Sequence, residues 1–354
     1  MKSRPVFYIH SYAGLISGLF IFLMSLSGAV LVFQDQLDQQ PQVIQVSSTR
    51  ISTDSCYKIV RQRYPQAQIS SCALPGNPDQ PVSFFVYDLS YKQGEKAMEI
   101  FIHPQTGAVL KTRGGSDDPT NNFMSWLAKF HNSFHLGKAG EWLLGFFSLV
   151  FLLSLLTGLV LFRKNIIAVL FFRKRAWRRN NLHQLIGVYA LLFNLMIAVT
   201  GFWMQRYVFK KDFYQSYDFK MTIKPSPLFP YSFDSAYGEI KKKHPDFTAY
   251  VVYFSQGTKG KTAVYGSRSS NAYIHSKKFA DVVFLDSTGA VSKTRFINEI
   301  SPDDRYDIIN SQLHMGRFGG LGIRLLYFFF GLSGSILSIT GFLLWLKRRS
   351  VAVI

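Results

Sequence analysis

Four uncharged apolar runs, at 13–34, 142–162, 187–205 and 325–346, set the plan of the chain. The last holds 22 residues without a charge, long enough to cross a hydrocarbon core of about 30 Å as a helix. The pattern predicts four transmembrane helices. The first run is longer than a usual signal core, and no small-x-small cleavage site precedes Asp35, so it reads as a retained span. Two polar segments, 35–125 and 206–310, separate the runs pairwise. In the first, Asp54-Ser55 can cap a helix carrying Ile59, Val60 and Tyr64 that stops before Pro65. Residues 69–73, 82–87 and 98–102 have strand-like density of β-branched and aromatic side chains, and extended chain resumes at 108–111 after the turn PQTG. The second segment reads alike, with a helix at 232–243 ended by His244-Pro245 and strands at 248–254, 261–266 and 282–285. Each segment is thus predicted to be one helix on a small antiparallel sheet.

The two halves correspond position by position. His10 and His183 each lie four residues before a glycine, and Gly28 and Gly201 share their offset of 173. The offset grows to 180 for Pro65 and Pro245, 182 for Gly107 and Gly289, and 183 for His131 and His314 and for Gly158 and Gly341. A slowly growing offset is what small loop insertions in a tandem duplication produce. The expected fold is therefore an α-helical membrane protein with four transmembrane helices from an internal duplication, plus two α+β domains. Its expected parts are helix one in 1–40, a domain in 41–118, helix two in 119–163 and a basic loop in 164–181. Helix three in 182–208, a second domain in 209–303 and helix four in 304–349 complete it.

Charge then orients the chain. The ends 1–9, 163–181 and 347–354 hold 12 basic residues and no acidic one, so the positive-inside rule puts both termini and the loop in the cytoplasm and both polar segments outside. The formal charge of +19 is accounted for by topology, and a lipid bilayer rather than nucleic acid is the expected partner. The loop around RKNIIAVLFFRKRAWRRN mixes apolar and basic residues and suits the lipid surface. Cys56 and Cys72 fall in the first outer segment, where either a disulfide or two buried thiols is compatible with the sequence.

Candidate chemistry lies in the histidines. His10 and His183 open spans one and three at the cytoplasmic side, and His131 and His314 lead into spans two and four at the other. Taken singly, each is readable as an interfacial histidine bonded to headgroups or backbone. Together they pair by depth and by repeat. Two neutral imidazoles can hold one haem on both axial faces, and facing helices of a bundle build such sites in their core. The pattern predicts two b-type haems, one on His10 and His183 and one on His131 and His314. His135 is a weaker alternative to His131, one turn away on much the same helix face; it does not keep the 183 offset. His103, His244 and His275 read as surface or turn residues.

The motifs HSYAGLISG, FHNSFHLGKAGEWLLG, NNLHQLIGVYALL, LHMGRFGG and ITGFLLWLKRR, in this helix–domain–helix arrangement, resemble the PepSY-associated transmembrane family over nearly the whole chain. The resemblance implies PepSY-like periplasmic domains, a bacterial inner-membrane location and, as in some members, di-haem reduction of ferric siderophores in the periplasm, with His10, His131, His183 and His314 at the matching positions. It also admits a haem-free alternative, a regulatory or binding protein that restrains peptidases. The chain has no G-x-G-x-x-G after a strand, no P-loop and no Cys-x-x-Cys-His. Electrons are therefore expected from a quinol or a separate cytoplasmic donor. No residue stands out as catalytic beyond the ligands.

Overall fold

A computed structural model describes residues 4–38, 40–45, 49–77, 79–88, 97–171, 181–213, 225–227, 231–254, 262–268, 274 and 278–352. His275 and residues 173–179 of the basic loop lie outside them. In chain order the helices are α1 (Arg4–Leu31), α2 (Thr53–Arg63), α3 (Phe123–Ser133), α4 (Gly137–Phe162), α5 (Ile166–Leu170), α6 (Leu182–Tyr189), α7 (Leu191–Gln205), α8 (Phe233–Lys243), α9 (Pro302–Met315) and α10 (Gly320–Ala352). The strands are β1 (Gln68–Ala73), β2 (Val82–Tyr87), β3 (Ala97–Ile102), β4 (Val109–Gly114), β5 (Thr248–Tyr253), β6 (Thr262–Ser267), β7 (Asp281–Leu285) and β8 (Val291–Arg295). They fall into two compact units, one helical and one built on a sheet.

In the helical unit, α1, α4 and α10 are each long and apolar enough to cross a membrane. The third predicted span is not one straight rod. α6 and the helix running from Leu191 to Phe209 meet at 65°, giving four spans if the bent pair counts as one. The bend lies at Ala190, whose N–H turns back to the carbonyls of Ile186 and Val188, and the chain contains no proline there. Tyr189 Oη donates to the carbonyl of Val169 on α5 at 2.7 Å, which ties the short segment to its neighbour. α1 packs against α10 and α4, and α4 against α7. Polar glue joins these faces: Ser335 Oγ donates to Phe22 O at 2.9 Å, and Asn194 Nδ2 to Ser333 Oγ at 2.9 Å.

The sheet unit joins what the sequence reads as two modules. Its eight strands run in the order β4-β3-β2-β1-β5-β6-β7-β8, all antiparallel. Each half is a four-stranded meander, and the two meet where Ser71, Cys72 and Ala73 of β1 face Tyr253, Val252 and Val251 of β5. Pairing removes one free edge from each meander. α2 and α8 cover one face, where Val60, Ile69, Phe84, Ile100, Phe233, Ile240 and Val264 form a common core. The two helix starts are capped reciprocally. Asp234 accepts the N–H groups of Thr53 and Asp54, while Asp54 accepts those of Phe233 and Asp234 and the hydroxyl of Ser232. Carboxylates at helix N-termini are favourable for capping and for the macrodipole. Burial pushes the Asp54 carboxyl up, but its donors from Ser232 and the α8 backbone outweigh burial and hold it below the usual range.

Cys56 and Cys72 are both fully buried free thiols in this core. Burial, reinforced by the charge of Asp234, pushes Cys56 up to about 12 and raises Cys72 as well. Of the two readings the sequence allows for His103, surface or turn, the turn holds: it stands where Gly107 N–H returns to its carbonyl. It is 7% exposed, its Nε2 lies 2.9 Å from Ile44 O, and its Nδ1 accepts from Gln105 and Thr106 N–H groups. His244 caps α8 with its ring against Phe296.

Candidate functional site

The helical unit brings the four predicted histidines together in two pairs. The ring centroids of His10 and His183 are 6.2 Å apart, and those of His131 and His314 are 6.4 Å apart. On α1, His10 and the partner of His131, Ser27, are 17 residues apart in sequence, which places the two pairs about 25 Å apart along the helix.

Each imidazole is held through Nδ1 by the opposite helix of its own half. His10 Nδ1 lies 2.9 Å from the carbonyl of Ser154 and 3.3 Å from Thr157 Oγ1, both on α4. His131 Nδ1 lies 2.9 Å from Ser27 Oγ on α1. His183 Nδ1 lies 3.0 Å from Thr340 Oγ1 on α10, and His314 Nδ1 lies 3.0 Å from Thr200 Oγ1 on α7.

These contacts bear on the tautomers. A hydroxyl has one proton. Ser27, Thr157, Thr200 and Thr340 each donate it to the carbonyl four residues earlier, at 2.7 Å. The Ser154 carbonyl can only accept, so His10 donates from Nδ1, and a hydroxyl that keeps its proton on its own helix accepts from the imidazole in the same way. A neutral ring that donates from Nδ1 has its lone pair on Nε2. Metal-ligating histidines characteristically give their second N–H to such a partner, which fixes ring orientation and raises basicity.

Glycines complete the cradle. A Cβ at Gly28 would lie 3.0 Å from His131 Cε1, at Gly158 3.1 Å from His10 Cε1, at Gly201 3.0 Å from His314 Cε1 and at Gly341 3.2 Å from His183 Cε1. The hydroxyl residue and the glycine are adjacent in every case: Ser27-Gly28, Thr157-Gly158, Thr200-Gly201 and Thr340-Gly341. The hydroxyls are the functional residues that sequence reasoning missed. A Ser or Thr directly before each of the matched glycines is the signal, silent about the bond it makes.

The donor set fits a haem. With a metal–imidazole bond of about 2 Å and roughly 1.1 Å from nitrogen to ring centre, two imidazoles on opposite faces of one iron have centroids about 6.3 Å apart. Among the described residues no three His, Cys, Asp or Glu side chains gather as a metal cluster. A haem needs only the two axial donors, since its macrocycle supplies the others.

His135 belongs to neither pair. The sequence places it one turn beyond His131 on the same helix face, but α3 ends at Ser133. Phe134 and His135 take φ of +51° and +58°, which turns the chain out of the helix, and the His135 ring lies 6.4 Å from that of Phe130.

No curated protein matches the chain. A family model does, over residues 7–348, and that span includes all four histidines, all four hydroxyl–glycine pairs and both halves of the sheet. The chain is a membrane protein and belongs to the family of the PepSY-associated TM region.

Proposed function

We propose that the protein is a di-haem b-type electron-transfer protein of the bacterial inner membrane that reduces ferric siderophore iron in the periplasm. The reading includes four spans derived from an internal duplication, both termini in the cytoplasm and both polar segments in the periplasm. One observation carries it: four imidazoles stand in two facing pairs, every Nδ1 engaged by the opposite helix.

His10 and His183 would hold the inner haem, and His131 and His314 the outer one. Each haem, when bound, supplies a reversible one-electron iron couple. The chain's own part is to orient the imidazoles through Ser27, Ser154, Thr157, Thr200 and Thr340, to keep the rings against glycine, and to exclude water with the apolar bundle. An electron entering from a quinol or a cytoplasmic donor would leave at the outer end. Reduction of ferric to ferrous iron weakens oxygen-donor chelation, which suits a ferric siderophore as acceptor.

The test is a visible spectrum and pyridine haemochrome assay of the purified full chain. Two haems per chain are expected, with His10→Ala or His183→Ala losing one and His314→Ala the other. A colourless protein would overturn the reading in favour of a haem-free regulator of peptidases.

A further inference from the structure

His131 and His314 face each other as equals in chemistry, yet the chain holds them differently. His314 is braced on both sides. One turn earlier, Asn310, 1% exposed, donates Nδ2 to the Thr200 carbonyl at 3.2 Å. Immediately before His314, the carbonyl of Leu313 accepts Tyr327 Oη of α10 at 2.6 Å. α9 then closes on Gly316 at φ +65°, a backbone region glycine enters without steric cost. The Tyr327 ring packs over that glycine.

His131 has neither brace. At the 183-residue offset that relates it to His314, Asn310 and Tyr327 correspond to Leu127 and Leu144, whose side chains cannot donate a hydrogen bond. Two residues after His131 α3 stops, and the turn is closed by Phe134 and His135 in the left-handed region. Among the described residues they are the only non-glycine residues with positive φ. Consecutive β-carbon-bearing residues there are sterically costly, and such strain gathers where a chain must switch. His131 itself is held by the Ser27 hydroxyl and the Gly28 cradle, and the end of its helix by a longer contact from Gln205 Nε2 to Asn132 O at 3.4 Å and by the Phe134 ring against Phe20 of α1. The His10–His183 pair shows no such contrast. His10 sits within the unbroken α1, and α6 starts at a capping box of Asn181 and Gln184 one residue before His183.

We propose that His131 is an exchangeable ligand, so that the outer centre has one axial position open to a small lone-pair donor while His314 stays bound. The inference rests on the di-haem reading. In the exchange, the bond from iron to His131 Nε2 opens and the imidazole keeps its lone pair. The incoming donor's lone pair makes the new bond, and no electron or proton changes place. Unwinding the last turn of α3 relieves the left-handed residues, which offsets part of the lost bond.

Carbon monoxide is the probe, added to the dithionite-reduced full chain in nanodiscs and followed in the Soret region. One haem of two should bind it, and that haem should be the one missing from His314→Ala. Phe134→Gly removes strain and also the ring's packing on Phe20 and Phe130, so it is compared with Phe134→Ala, which loses the same packing and keeps the left-handed cost. Carbon monoxide entry should be roughly tenfold slower in Phe134→Gly than in Phe134→Ala, about the factor that relief of one left-handed residue represents. His131→Ala should bind without the slow phase. Two haems that both refuse carbon monoxide would overturn this inference and leave the di-haem reading standing. So would reaction at the haem lost in His10→Ala, or a Phe134→Gly rate equal to that of Phe134→Ala. A protein without haem would instead sink the di-haem reading itself.

Discussion

Thr200→Val is the most informative single change, because it keeps the shape of the side chain and deletes one acceptor. His314 Nδ1 lies 3.0 Å from Thr200 Oγ1, and the Ile197 backbone of the same helix is a second partner. Leaving a buried N–H wholly unsatisfied costs about 1–3 kcal/mol, and the second partner keeps the loss toward the lower end. Removal of such a partner from a metal-ligating histidine typically weakens binding about 10–100-fold. Thr157→Val is the matched control. His10 Nδ1 also reaches the Ser154 carbonyl at 2.9 Å, shorter than its 3.3 Å contact to Thr157, so it keeps its better acceptor when the hydroxyl goes. Haem transfer to an excess of apomyoglobin, followed in the Soret region, measures both. The outer haem of Thr200→Val should leave at least tenfold faster than in wild type, about the lower end of that range. The inner haem of Thr157→Val should leave at close to the wild-type rate. Equal effects of the two variants, or none in Thr200→Val, would refute the assignment of Nδ1–H as a donor that depends on the hydroxyl.

Gly28→Ala places a methyl 3.0 Å from His131 Cε1; the ring must shift by a few tenths of an ångström, and the low-spin electron paramagnetic resonance signal of the outer haem should move while that of the inner haem does not. Asp54→Asn weakens the cap on α8 and should destabilise the sheet unit by about 1–2 kcal/mol in thermal unfolding at pH 7. Because the Asp54 carboxyl is held below its ordinary value of 3.8, its contribution is present above that value, so the gap between variant and wild type should shrink as pH falls through the lower folded value. Cys56 and Cys72, buried as thiols, should resist a thiol reagent in the native protein and both react after denaturation; a native protein with no titratable thiol even when unfolded would mean that they are joined.

Much of the molecule is legible in the chain as written. Hydropathy and strand-like density are carried by residues close in sequence, so the apolar runs overlap helices and the seven expected extended segments lie within about three residues of strands, while β8 (Val291–Arg295) is not foreseen. The four histidines could be singled out because a polar ring at the mouth of an apolar run is costly without a role, and because spacing to a shared glycine links them across the two halves. What needed the tertiary structure depends on residues far apart. Two meanders with free edges can stand alone or join, and only the pairing of Ser71–Ala73 with Val251–Tyr253 makes one sheet of them. No proline announces the bend at Ala190, which goes with the hydroxyl of Tyr189 reaching Val169. His135 shares a helical period with His131 on paper, but φ angles of +51° and +58° carry it off the helix. The state of each imidazole is decided at a distance too: a hydroxyl 104 to 157 residues away in sequence spends its only proton on its own helix. A hydroxyl so engaged accepts from Nδ1, which leaves the lone pair of a neutral ring on Nε2.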